Sequence, residues 1–283
     1  MNKILQVPLV RIMIATLFVG VGVAIGQVAL NLLRSALSIT DAGVANLLAF
    51  LLVTPAAYFA YWMYVRFVEK RELTELRGAN ALREFGLGSL TGFGLFGFVM
   101  ATLWLMGFYR VNGSNVVLLS LVGALAGAFV SAFAQELIFR AAIYRIMEEW
   151  LGTWWAVAIS ALLFGLIHFT SAGATLFSAA AVALQAGILL AAAYALTHRL
   201  WLALGLHTLW DFANDGIFGV GIAGQSGQSL HGVLQASLQG PSLFTGGTFG
   251  VEASIVSLVT VLIAGIFMLW KVRQRGLVVS RVK

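Results

Sequence analysis

The 283-residue chain contains no cysteine. That excludes disulfides, thiol nucleophiles, iron–sulfur clusters and thiolate-bound zinc, so any metal would be held by histidine and carboxylate. Charge is equally scarce. Asp, Glu, Lys and Arg make up 10% of the residues, against about a quarter in a soluble domain, while 60% are hydrophobic and the mean hydropathy is +0.95. A soluble globular fold is excluded. Charge-free runs cover 12–33, 42–65, 85–109, 111–135, 150–167, 169–197 and 253–270, each close to or above the roughly 20 residues that a helix needs to cross a bilayer. An eighth stretch, 200–220, is apolar but interrupted by His207, Asp211 and Asp215. These runs exceed the strands of a membrane barrel and lack their two-residue alternation, which leaves helices as the spanning element. The expectation is an all-α polytopic membrane protein, one integral-membrane domain over 1–283 with about eight transmembrane helices.

The net charge of +6 does not indicate nucleic acid, because the basic residues sit between and beyond the apolar runs rather than on one domain face. Lys3 and Arg11 precede an apolar run of 22 residues, too long for a signal-peptide core. It is expected to stay as the first helix. With eight spans both termini share a side, and one assignment puts 14 Lys and Arg inside against Arg34 and Arg110 outside. This bias predicts cytoplasmic termini in the plasma (cell inner) membrane. The stretch 66–88 carries five basic and four acidic residues, with Leu73, Leu76, Leu82 and Phe85 near helical spacing. It reads as a cytoplasmic amphipathic segment, either a helix on the membrane surface or a solvated linker. Residues 221–250, rich in Gly, Ser and Gln, read as a long extracytoplasmic loop without assigned structure. The pairs Gly22/Gly26 and Gly123/Gly127 fit close helix contact.

An ionisable group in hydrocarbon costs about 2.5–3.5 kcal/mol on insertion scales, so each one kept there is a candidate for function. The chain keeps Gln135, Glu136 and Arg140 in one segment, His168 at the end of the next, and His207 and Asp211 in the interrupted stretch. Glu136 and Arg140, Phe164 and His168, and His207 and Asp211 are each four apart, which places each pair on one helical face. Asp215 extends the last series by a turn. Taken singly, the pairs read equally well as a buried ion pair and satisfied interhelical hydrogen bonds. Taken together, two histidines and two acids in a bundle with little other charge form the inventory of a hydrolytic site. A His-Glu-x-x-His zinc motif and a Gly-x-Gly-Asp aspartyl pattern are absent. Gly224-Gln225-Ser226-Gly227 imitates a serine-protease motif, but it lies in the Gly-rich loop rather than opening an apolar helix. Water activation by Glu and His remains, with or without a metal.

Gln135-Glu136-Leu137-Ile138-Phe139-Arg140, Phe164-Gly165-Leu166-Ile167-His168 and His207-Thr208-Leu209-Trp210-Asp211 resemble the three motifs of the CPBP, or Abi, family of CAAX-type proteases and bacteriocin-processing proteins. Those motifs read Glu-Glu-x-x-x-Arg, Phe-x-x-x-His and His-x-x-x-Asn/Asp, in this order on separate helices. The resemblance covers about 115–220 as a catalytic core. It implies an intramembrane endopeptidase acting on a peptide or membrane-protein substrate. The first-motif Glu and His168 would polarise the water, His207 and Asp211 would orient substrate or stabilise the oxyanion, and Arg140 would fix Glu136. Members are described as metalloproteases and as metal-independent glutamate proteases. A single zinc ion on Glu136, His168 and His207 with an open fourth position would suit the former.

One departure stands out. The first Glu of the pair is Gln135 here, and an amide orients water without taking its proton. Either Glu136 takes over, although adjacent helix positions point about 100° apart, or the protein loses a contribution of about 10²–10⁴ in rate. A catalytically weak or inactive scaffold that binds a membrane partner therefore stands beside the enzyme, as does a proton-coupled transporter using the same polar residues. Depth along the helices sets a further condition. At about 1.5 Å per residue, His207 and Asp211 lie about 9 and 15 Å from Trp201, with Glu136 expected near the cytoplasmic end of its segment, whereas His168 falls about 22 Å from Thr153.

Overall fold

A computed structural model of the chain describes residues 7–221 and 232–281; the Gly224–Gly227 sequence lies outside them. Among the described residues, seven helices are long and apolar enough to cross a membrane: α1 Pro8–Ala36, α2 Ala42–Glu69, α3 Ala81–Leu105, α4 Leu118–Leu151, α5 Thr153–Thr170, α6 Leu176–Thr197 and α8 Ile255–Gln274. Between the last two stands α7, residues 200–217, the polar eighth stretch of the sequence. The protein is an all-α polytopic membrane protein. A strand Tyr109–Ser114 pairs antiparallel with Leu234–Leu238 at the end of the bundle where α3 stops and α4 begins. The fourth apolar run thus divides between a strand and a helix.

Small residues set the packing. A methyl group on Gly22 would come within 2.6 Å of Ala60 Cβ, and one on Gly26 within 2.6 Å of Val53 Cα, so this pair is where α1 meets α2. Gly123 and Gly127 likewise approach Gly43 and Asn46 of α2. A third contact brings Gly88 and Gly92 of α3 against the backbone of Leu202 and Leu206, while Gly205 of α7 meets Phe85. Helices in lipid gain mainly from such close van der Waals approach. As a result α7, bearing His207 and Asp211, is drawn between α3, α4 and α6.

The segment 66–88 forms no separate surface helix. Its start completes α2, its end begins α3, and 70–80 is irregular, with Lys70 and Asn80 in the left-handed conformation. The reason lies in its acids. Glu75 is fully buried, with Arg145 Nε of α4 2.9 Å from its carboxylate and the Tyr61 hydroxyl donating to it at 3.0 Å. Arg71 also donates to Glu75. Burial disfavours the charged Arg71 guanidinium, but Glu75 outweighs this and raises its pKa. Glu69 receives Arg11 of α1, Arg71 and Arg145 at 2.6–2.7 Å. Charges that read as a solvated face instead turn inward and tie α1, α2 and α4 together at the basic end of the bundle.

Helix α4 does not stop near Glu136 either. It continues for 15 residues to Leu151, so Glu136 lies about 22 Å from that end, the depth at which His168 stands from Thr153. The charges of Glu136, Arg140 and Arg145 end the hydropathic run without ending the helix. Residues Leu137–Tyr144 widen into π-helical turns, as do Ala183–Gly187 of α6 and Ala213–Ile217 of α7.

Candidate functional site

Arg140 and Glu136 are completely buried, with Arg140 Nε 3.3 Å from Glu136 Oε2. The guanidinium is supported from two other helices. Its Nη2 donates to the Gly187 carbonyl at 3.3 Å, where the widened turn of α6 tilts backbone oxygens out of their usual bonds. It also stands 4.5 Å over the ring of Phe164 in α5, a cation–π contact that gains strength away from water.

Glu136 reaches further. Its Oε1 accepts from Nδ1 of His207 at 2.9 Å, while His207 Nε2 lies 3.6 Å from Asp211 Oδ2. Either ring nitrogen, when protonated, faces a carboxylate oxygen. Phe164 packs its ring edge-on to His207 and tilted against His168, so one aromatic side chain spaces both imidazoles. His168 Nδ1 donates to the Phe164 carbonyl at 2.7 Å. A carbonyl only accepts, so the proton sits on Nδ1 and Nε2 keeps its lone pair.

These groups surround one cavity, with about 60 Å³ open to water-sized molecules, room for a few waters. Gln135, His168, His207, Trp210 and Asp211 line it, together with Glu252. Glu136 does not; it stands behind His207. Gln135 of the first motif is the residue that faces the space, and its amide donates to Ser131 Oγ at 3.0 Å. Asp215 is not part of the lining.

As arranged, the side chains do not fit a zinc ion on Glu136, His168 and His207. Ligand atoms about 2.0–2.1 Å from a tetrahedral zinc stand about 3.3 Å apart, whereas the Glu136 and His207 atoms are hydrogen-bonded at 2.9 Å. Among the described residues no three His, Asp or Glu side chains converge as metal ligands.

Residues 117–213 match the family model described as type II CAAX prenyl endopeptidase Rce1-like. Over these residues the chain is similar to the CPBP, or CAAX-protease, family. The match lies within 115–220 and includes all three motifs, so the resemblance read from the residues is borne out at family level. No curated protein and no solved structure matches the chain.

Glu252 was not singled out from the sequence. It falls between the Gly-rich loop and the last apolar run, where no periodicity points to it. One signal was available, since it is the sole acidic residue after Asp215. Gln185 is also new: its amide donates to the Glu252 carbonyl and its Oε1 accepts from Ser257 Oγ at 2.7 Å, which fastens α6, the Glu252 turn and α8 to one another.

Proposed function

We propose that this chain is an intramembrane endopeptidase of the CAAX-protease type, hydrolysing a peptide bond of a peptide or membrane-protein substrate in the lipid bilayer. The observation that carries the reading is that residues of all three motifs, on three helices, open onto one water-sized cavity inside the bundle. His168 Nε2, left basic by the Nδ1 bond to Phe164, takes a proton from a cavity water. Gln135 orients that water. As hydroxide forms a bond to the scissile carbonyl carbon, charge moves onto the carbonyl oxygen. His207, with a proton on each ring nitrogen between Glu136 and Asp211, donates its Nε2–H to this oxygen, an interaction worth about 2.7–4 kcal/mol for a well-placed donor. Glu136 is a positioning residue that holds His207, with Arg140 offsetting its charge. Asp211 orients the substrate beside His207. The proton on His168 then passes to the leaving nitrogen, giving an acid and an amine. The basic end of the bundle, where Arg11, Arg71 and Arg145 gather, faces the cytoplasm, and both termini lie there.

The test uses full-length protein in lipid vesicles and an internally quenched farnesylated peptide with a CAAX terminus, beside the same peptide without the lipid. Wild type should cleave, and His168→Ala should lose about 10²-fold or more. A His168→Ala variant as active as wild type overturns the mechanism. Flux of protons through the wild type, abolished by Glu136→Gln without any proteolysis, would establish a transporter instead.

A further inference from the structure

We propose that Glu252, which lies outside the motif-bearing core, supplies the water-polarising carboxylate that Gln135 cannot, acting on the same water as His168. The inference rests on the peptidase reading above and assigns it a further residue.

Three observations converge on it. First, Glu252 lines the same cavity as Gln135, His168, His207 and Asp211, and its charge acts electrostatically on both His168 and Asp211. Second, it is held rather than loosely placed. Its Oε1 accepts from the indole Nε1 of Trp210 at 3.0 Å, within the third motif itself. Its backbone oxygen is held by the buried Gln185 amide. The turn Val251–Ala253 that presents it begins at Gly250, whose φ of +109° favours glycine, and closes with Ala253 N–H donating to Gly250 O at 2.9 Å. Third, a buried carboxylate is costly to keep among apolar helices, and here it is kept beside an amide that stands where the family has an acid.

In the reaction, one hydrogen of the water passes to His168 Nε2 while the other is hydrogen-bonded by the Glu252 carboxylate. The oxygen bonds to the scissile carbonyl carbon and the carbonyl π pair moves to its oxygen. Glu252 stabilises the imidazolium that forms. When the C–N bond breaks, its electron pair stays on nitrogen, which takes the proton back from His168. Gln135, through Ser131, keeps the water oriented between the two acceptors.

Glu252→Gln is the informative variant, because it removes the charge and keeps an oxygen that accepts from Trp210. In vesicles, with the same farnesylated quenched peptide, Glu252→Gln should cleave about 10²-fold more slowly than wild type with an unchanged unfolding midpoint. Glu252→Asp, which keeps the charge, should retain more activity than Glu252→Gln. Adding Gln135→Glu to Glu252→Gln should restore at least tenfold, since a carboxylate then enters the cavity from the motif side. Wild-type rates in Glu252→Gln, or a loss that Gln135→Glu does not repair, overturn the inference while leaving the peptidase reading in place. A wild type that cleaves nothing, or cleavage that survives His168→Ala, overturns the peptidase reading, and this inference with it.

Discussion

His207 Nδ1 lies 2.9 Å from Glu136 Oε1, a hydrogen bond that joins residues 71 positions apart and makes the first and third motifs one unit. Arg140 closes that unit from behind, against Phe164 of the second motif. The carboxylate of Glu136 is thereby committed to two partners and has no exposed surface with which to meet a substrate. In the proposed reaction its contribution is to set the orientation of the His207 ring.

That commitment separates stability from activity. Glu136→Gln leaves Arg140 buried without its counter-charge, and removing one partner of a buried ion pair costs about 3–5 kcal/mol. Glu136→Gln with Arg140→Met removes both charges, and apolar replacement of a buried pair is often neutral or stabilising. Unfolding in mixed micelles should therefore show a marked loss for the single variant and recovery for the double. Peptide cleavage should stay low in both, because His207 lacks in each the negative carboxylate that faces its Nδ1. Recovery of cleavage along with stability would mean that Glu136 serves only the fold.

The helix contacts give a second expectation. Gly92 packs against the backbone of Leu206, whereas an added Cβ at Gly97 in the same helix would meet nothing within 4 Å. Gly92→Val should cost at least the 1–3 kcal/mol typical of overpacking and should displace α7, lowering cleavage as well. Gly97→Ala should be neutral or should stabilise by up to about 1 kcal/mol through helix propensity. Equal effects at the two sites, measured by unfolding in micelles, would show that α3 and α7 do not meet as described.

Much of the candidate site was legible in the sequence for one physical reason. Polar side chains are so costly in hydrocarbon that the few retained there stand out, and four-residue spacing identifies the face they share. Glu136, Arg140, His168, His207 and Asp211 emerge from that argument alone. What escaped it depends on tertiary contact. The length of α4 was hidden because Arg140 and Arg145 break the hydropathic run while acids pair with their charges, Glu136 in the bundle and Glu69 and Glu75 at its end. The leucines of 73–85 suggested a surface helix because nothing local shows that Glu75 is drawn inward to Arg145. Strand Leu234–Leu238 and the Glu252 turn lie in a Gly-rich stretch without periodicity, placed by a strand partner and by Gln185, each more than 60 residues away.

The absence of cysteine, first a bound on chemistry, makes the orientation directly measurable. Any single introduced cysteine is the sole thiol in the protein, so labelling reports one position without background. Glu72 is exposed at the basic end of the bundle, and Asn112 is exposed on the strand at the other end. The proposed orientation, from the charge bias, puts the basic end in the cytoplasm. In intact cells a membrane-impermeant maleimide should label Asn112→Cys and not Glu72→Cys, and permeabilisation should make Glu72→Cys reactive. The reverse pattern would invert the protein in the bilayer, moving the Arg145 network and both termini to the outer face. Labelling of both positions from outside would mean that they lie on one side of the membrane, which a single crossing by α3 between them does not allow.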